Sequence, residues 1–302
     1  QANRLLARLW KPRRTESDAF VTHTDKLAGM FTEKSVANWR NQKVAKPENN
    51  PVFLVGFPRS GTTLLDQVLD SHPGLCTLEE KPMVQAMDAL LDKYPGGYYE
   101  NLATLTPSQA AVLRARYFEV VRDYISPQDG QIVIDKFPFN ITQTGLLWRV
   151  FPEAKYILAI RHPCDVCISC FRQNFALNAA MSHFLSLEDT VALYVKVMQT
   201  WQHYVQILPV VYHQVRYEDL VDDLEREAKS VIKFLGLDWD PVVMDYITHA
   251  RSRERINTPS YTQVIKPIYT HAKYRWRRYS EQINPYIEQL QPFITSFSYH
   301  EV

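Results

Sequence analysis

The sequence predicts an α/β fold, a P-loop-like parallel sheet flanked by helices on both faces. Three observations lead there. After Pro51, short apolar runs alternate with amphipathic stretches of helical length, as expected for strands covered on both sides. The run Val52 to Val55 passes through Gly56 and Gly61 directly into a helical pattern. Glycine is otherwise scarce, with nine in the chain, so two in one short turn mark a place where the backbone itself has a task.

The elements follow in order. Residues 1–50 are polar and basic, with helices expected from Asn3 to Trp10 and from Thr32 to Trp39. The turn-rich "KVAKPENNP" closes them, so 1–50 reads as a helical arm and linker and 51–302 as the main domain. Strands are expected at 52–56, 131–135 ("QIVID"), 155–160 ("KYILAI") and 209–215 ("PVVYHQV"), with a weaker one near 75–78. Helices are expected at 61–71, 82–93, 107–125, 141–150, 164–175, 187–206, 222–236, 241–249 and about 281–296. There is no repeat of 20–50 residues and no low-complexity stretch.

Composition bounds the function. The chain has 302 residues, 46% apolar and 22% charged, enough for one large domain with a proper core. A net charge of +1 gives no support for a general nucleic-acid role. Uninterrupted apolar runs reach about six residues, against the roughly 20 of a membrane-spanning helix. The sequence starts at Gln1 and shows no signal peptide, which is the expectation for a piece of a longer parent. Cys164, Cys167 and Cys170 form C-x-x-C-x-x-C on an expected helix, with Cys76 the sole further thiol. No histidine spacing completes a zinc site, so buried free thiols and a reducing, cytoplasmic compartment are expected. No metal ligand set is assigned.

The loop "VGFPRSGTT" carries the functional signal. A strand, a glycine-bounded turn and a helix N-terminus direct backbone N–H groups at one point, which is an anion site on physical grounds. A nucleoside-triphosphate loop reads G-x-x-x-x-G-K-[ST]. Here Thr62 stands where that lysine belongs, and Arg59 carries the positive charge from inside the loop. Ser60, Thr62 and Thr63 add hydroxyls, and Gly61 lets the main chain approach closely. An ordinary strand–helix turn capped by Ser60 is the plainer alternative.

At this point the sequence resembles the sulfotransferases that use 3′-phosphoadenosine-5′-phosphosulfate (PAPS). "PRSGTT" is similar to their 5′-phosphosulfate loop. "AIRHPCDVCISCF" resembles their 3′-phosphate site, with Arg161 at a strand end and Ser169 on the following helix. "VRYEDLV" resembles a segment whose tyrosine, here Tyr217, lies near the adenosine, and 260–279 resembles a loop that closes over the nucleotide. The resemblance spans about 51–298. It is nearest to bacterial sulfotransferases that carry tetratricopeptide repeats upstream, and next to the tyrosylprotein sulfotransferases. Residues 1–50 carry no such repeat, so any repeats would precede them. The resemblance implies a sulfotransferase fold, PAPS as cosubstrate, no metal requirement and an acceptor hydroxyl.

It also implies roles. Lys136, ending the strand "QIVIDK", resembles the lysine that contacts the bridging oxygen of the leaving nucleotide. In "LCTLEEKP", Glu80 aligns with the family's catalytic glutamate, and Glu79 is the alternative base. Pro82 replaces an arginine found two residues past that glutamate in the tyrosylprotein enzymes, a departure that counts against acidic-peptide recognition. Asp135 reads as a loop hydrogen-bonder rather than a metal-binding acid. Arg275, and after it Arg172, Gln263 and Lys266, are expected phosphate contacts. A P-loop kinase or NTPase and a non-catalytic PAPS-binding module are the rival readings. The acceptor could be a peptide tyrosine, another small molecule or a glycan, and a homodimer is compatible with the sequence.

Overall fold

The computed structural model describes residues 2–10, 14–40, 50–252 and 273–299. Five strands form the sheet: β1 (Val52–Gly56), β2 (Leu75–Glu79), β3 (Ile132–Lys136), β4 (Lys155–Ile160) and β5 (Val211–Arg216). Their order is β2-β3-β1-β4-β5. All four pairings are parallel, so every carboxyl end lies on one edge. The helices are α1 (Ala2–Trp10), α2 (Arg14–Met30), α3 (Glu33–Arg40), α4 (Thr62–Asp70), α5 (Met83–Lys93), α6 (Gly97–Ala103), α7 (Pro107–Tyr124) and α8 (Thr144–Val150). They continue with α9 (Pro163–Arg172), α10 (Leu187–Ile207), α11 (Tyr217–Asp222), α12 (Leu224–Leu235), α13 (Tyr246–Ser252), α14 (Ser280–Ile283) and α15 (Ile287–Ser296).

The continuous apolar strands are explained by burial on both faces. Val52 and Leu54 of β1 face one way, joining Ile157 and Ala159 of β4 and the apolar sides of α4 and α12. Phe53 and Val55 face the other way with Tyr156, Leu158 and Ile160, against α5, α7 and α10. Leu27 of α2, Phe31 after it, and Val36 and Trp39 of α3 are buried in this second core. Trp39 also donates its indole N–H to the Ala103 carbonyl at 3.0 Å, tying α3 to the end of α6.

All five expected strands are present, with edges moved by a residue or two. Besides the short α11, two helices had no counterpart in the sequence reading. Much of α2 is polar, yet it packs along α10, where Lys196 pairs with Asp25 at 2.7 Å. The other, α6, hides behind the "PGG" turn, whose Gly96 and Gly97 take left-handed backbone angles of 98° and 74°. The segment expected as one helix at 281–296 is broken by a 3-10 turn, Asn284–Tyr286, where Pro285 falls. Among the described residues no helix is long and apolar enough to cross a membrane.

Candidate active site

The parallel sheet decides where the site lies. The carboxyl ends of β1, β2, β3 and β4 hold the loop with Arg59, then Glu79 and Glu80, then Lys136, then Arg161; Tyr217 follows β5. Open α/β sheets place their ligands at this edge.

The loop after β1 is shaped by close packing. A Cβ on Gly56 would run into the Ala159 carbonyl oxygen of β4, so glycine lets β1 end tight against its neighbour. Ser60 does not cap α4. Its N–H turns back to the Phe57 carbonyl at 3.2 Å, and the cap is Gly61 at φ 95°, with no side-chain hydrogen bond. Arg59 takes φ 72°, a left-handed conformation that costs a non-glycine residue about 1–2 kcal/mol. Ser60, Thr62 and Thr63 are buried at the head of α4. The first N–H groups of a helix have no intrahelical partner, and a helix end of this kind is suited to receive an anion.

Two contacts join this loop to the β4 and β5 segments. Arg59 Nε donates to Ser169 Oγ on α9 at 3.1 Å. A Cβ on Gly61 would come within 2.7 Å of the Tyr217 ring, so that ring lies directly on the glycine. The Arg161 guanidinium carbon sits 4.6 Å from the centre of the same ring. Arg59, Gly61, Arg161, Ser169 and Tyr217, spread over more than 150 positions of sequence, therefore form one continuous wall.

Arg161 has further support that sequence reasoning missed. Its Nη2 lies 3.5 Å from Asp165 Oδ2, one helical turn on. Asp165 Oδ1 accepts the Trp276 backbone N–H at 2.8 Å. Next to Arg161, His162 stacks on the Trp276 ring at 5.2 Å and donates its backbone N–H to Glu218 at 3.0 Å. Glu218 also accepts the Tyr299 hydroxyl at 2.7 Å. Burial, with Arg277, Arg161 and Arg216 nearby, pulls the His162 imidazole down to about 4, so it packs as a neutral ring. The Arg161–Asp165 spacing was a legible i, i+4 signal; the reach of Trp276 and Tyr299 from the C-terminal segment was not.

The second cluster lies at the β2–β3 ends. Glu79 and Lys136 are direct register partners. Lys136, with a wholly buried side chain, places Nζ 2.9 Å from Glu79 Oε1 and 3.2 Å from Glu80 Oε1. Burial alone would lower the lysine's pKa; facing Glu80, Glu79 and Asp66 more than offset it, and the net shift is upward. Adjacent strand residues normally point to opposite faces. Glu80 escapes this by a left-handed turn, φ 51°, while its N–H still bonds the Lys136 carbonyl at 2.8 Å.

Asp135 is not a loop residue. It is buried within β3 on the face opposite Lys136, accepting from Tyr117 at 3.0 Å and from Asn140 at 3.3 Å. Burial pushes its pKa up to about 7. The three thiols Cys164, Cys167 and Cys170 are free and buried inside α9, as expected, and Cys170 lies against the Pro58 carbonyl at 3.3 Å. Among the described residues no group of three or more His, Cys, Asp and Glu is placed to hold a metal ion. Arg172 packs over the Tyr279 ring at 4.8 Å. Arg275 is exposed on a 3-10 turn, and its neighbour Trp276 is the residue that reaches the Arg161 cluster. Gln263, Lys266 and the 260–272 part of the expected closing loop lie outside the described residues.

A phosphate-loop-like turn with Thr62 in place of the lysine and Arg59 inside the loop, beside a buried lysine–carboxylate cluster, lies at the carboxyl edge of a parallel α/β sheet. A family model described as the sulfotransferase family matches residues 51–241, and the chain belongs to that family. A protein of Aquifex aeolicus (strain VF5) is 29% identical over 268 residues, covering 87% of this chain and 35% of its own. Protein-tyrosine sulfotransferase 2 of Gallus gallus is 25% identical, over 74% of this chain and 62% of that protein. The chain thus spans only part of these relatives' length. Among solved structures, the sulfotransferase domain of the Synechococcus PCC 7002 olefin synthase superposes with a TM-score of 0.54 at 25% identity, covering 78% of this chain and 91% of that one.

Proposed function

We propose that this chain is a PAPS-dependent sulfotransferase that moves a sulfuryl group to an acceptor hydroxyl by in-line displacement. The observation that carries the reading is the convergence of Arg59, Gly61, Arg161, Ser169 and Tyr217 on one wall beside the Lys136 cluster. The loop after β1 holds the 5′-phosphosulfate, with Ser60, Thr62, Thr63 and the N–H groups of α4 as donors. Arg161 and Ser169 hold the 3′-phosphate, and Arg275 adds charge at the nucleotide's rim. Tyr217 lies against the adenosine.

In the reaction, Glu80 takes the proton of the acceptor hydroxyl as its oxygen attacks sulfur. The bond from sulfur to the bridging phosphate oxygen breaks, and the electron pair stays on that oxygen. Lys136 and Arg59 face the charge that develops there, as electrostatic preorganisation requires. Free cysteines support a cytosolic setting. Labelled PAPS incubated with a panel of tyrosine peptides, phenols and sugars tests the reading: transfer to at least one acceptor class is expected. Failure to bind both PAPS and 3′,5′-adenosine bisphosphate (PAP) overturns it. A phosphoryl-transfer reading is disfavoured by Asp135, which is turned away from the site into the core.

A further inference from the structure

Two carboxylates meet one buried lysine, and they are not equivalent. The Glu79 side chain is 10% exposed and the Glu80 side chain 41%, while the Lys136 side chain is fully buried. Glu79 belongs to β2 and faces Lys136 in register, so strand pairing fixes its position. Glu80 lies just past the strand and reaches the same Nζ only through a left-handed backbone angle. One carboxylate is held by the sheet; the other is delivered by a turn that opens to solvent.

We propose that Glu79 is a positioning residue, the resident counter-ion that keeps Lys136 aimed and charged, so that Glu80 can leave the pair to meet the acceptor. This rests on the sulfotransferase reading of the site. The physical need is plain. A lysine removed from water loses its proton readily unless an opposite charge is built in. A base that is also the lysine's sole counter-ion would leave that charge uncompensated each time it moved. With Glu79 in place, and Asp66 facing the lysine from α4, Glu80 is free to exchange partners. Bound donor brings further negative charge to Lys136 and favours the release of Glu80.

The test reads Lys136 through PAP binding and needs no acceptor. Calorimetric affinities for PAP between pH 7 and 9.5 are compared in the unmodified protein, Glu79→Gln and Glu80→Gln, with thermal melts to confirm folding. The unmodified protein and Glu80→Gln are expected to bind with flat profiles. Glu79→Gln is expected to bind at least as well at pH 7 and then to weaken, at a slope approaching tenfold per pH unit, as Lys136 loses its proton. If Glu79→Gln does not fold, Glu79→Asp replaces it and is expected to show a smaller fall in the same direction. A flat profile for the Glu79 variant, or equal slopes for the two glutamate variants, overturns the proposal and leaves the sulfotransferase reading standing. Absence of PAP binding by the unmodified protein overturns that reading, and the proposal with it.

Discussion

Arg59 and Ser169 are bonded to each other, Nε to Oγ at 3.1 Å, although 110 positions separate them. The loop after β1 and the helix after β4 therefore share one polar seam, and on the proposed reading the two anion subsites of the nucleotide meet there. Ser169→Ala removes the hydroxyl proposed to meet the 3′-phosphate while keeping Arg59. A hydrogen bond to a charged group contributes about 1.5–3 kcal/mol, so PAP affinity should fall roughly 10- to 100-fold. Adenosine 5′-phosphosulfate, which lacks the 3′-phosphate, should bind as before. Equal losses for both ligands would mean that Ser169 serves Arg59 alone.

Gly61 is constrained both by its backbone angle and by its neighbour. Its φ of 95° disfavours any side chain, and a Cβ would press on the Tyr217 ring 2.7 Å away. Gly61→Ala is expected to lower the melting temperature modestly and to weaken PAP binding by much more, because Tyr217 must shift from the place proposed for it against the adenosine. Binding that survives intact would show that the ring is not part of the nucleotide wall.

Glu80, proposed as the base from the resemblance, is also the more exposed carboxylate of the pair on Lys136. A positioned base contributes about 10²–10⁴-fold. Glu80→Gln should therefore lose turnover by that factor with any acceptor found, while calorimetry shows PAP binding unchanged. Turnover within a few-fold of the unmodified protein would remove Glu80 from the chemistry.

Asp135 gives a pH signature separate from catalysis. Burial raises its folded-state pKa to about 7, above the value of roughly 3.9 for an unfolded aspartate. The folded state thus holds the proton more tightly, and stability is lost as pH rises from about 4 to about 7. Asp135→Asn, neutral throughout, should gain in melting temperature relative to the unmodified protein across that window, with PAP binding retained. A difference independent of pH would contradict this.

Much of this was legible in the sequence because local rules and global fold agree. Apolar runs such as "FLVG" and "YILAI" had to be doubly buried strands, and Gly56 and Gly61 had to mark a close approach. Arg59 stood out by residue type and position, and Arg161 and Ser169 by the resemblance to the sulfotransferases. The hidden parts depend on distant contacts or local backbone angles. Polar α2 is held by packing against α10, not by its own pattern. Asp135, the last residue of the expected strand, read as a loop hydrogen-bonder because nothing local shows that Tyr117 and Asn140 enclose it in the core. The convergence of Glu79 and Glu80 on one lysine needs a left-handed residue that no strand rule anticipates.

The most direct measurement is calorimetric titration of the unmodified protein and Arg161→Ala with PAPS and with adenosine 5′-phosphosulfate. The unmodified protein should bind PAPS at least tenfold more tightly, and Arg161→Ala should close most of that gap. Equal affinities for the two ligands in the unmodified protein would contradict the assignment of the site.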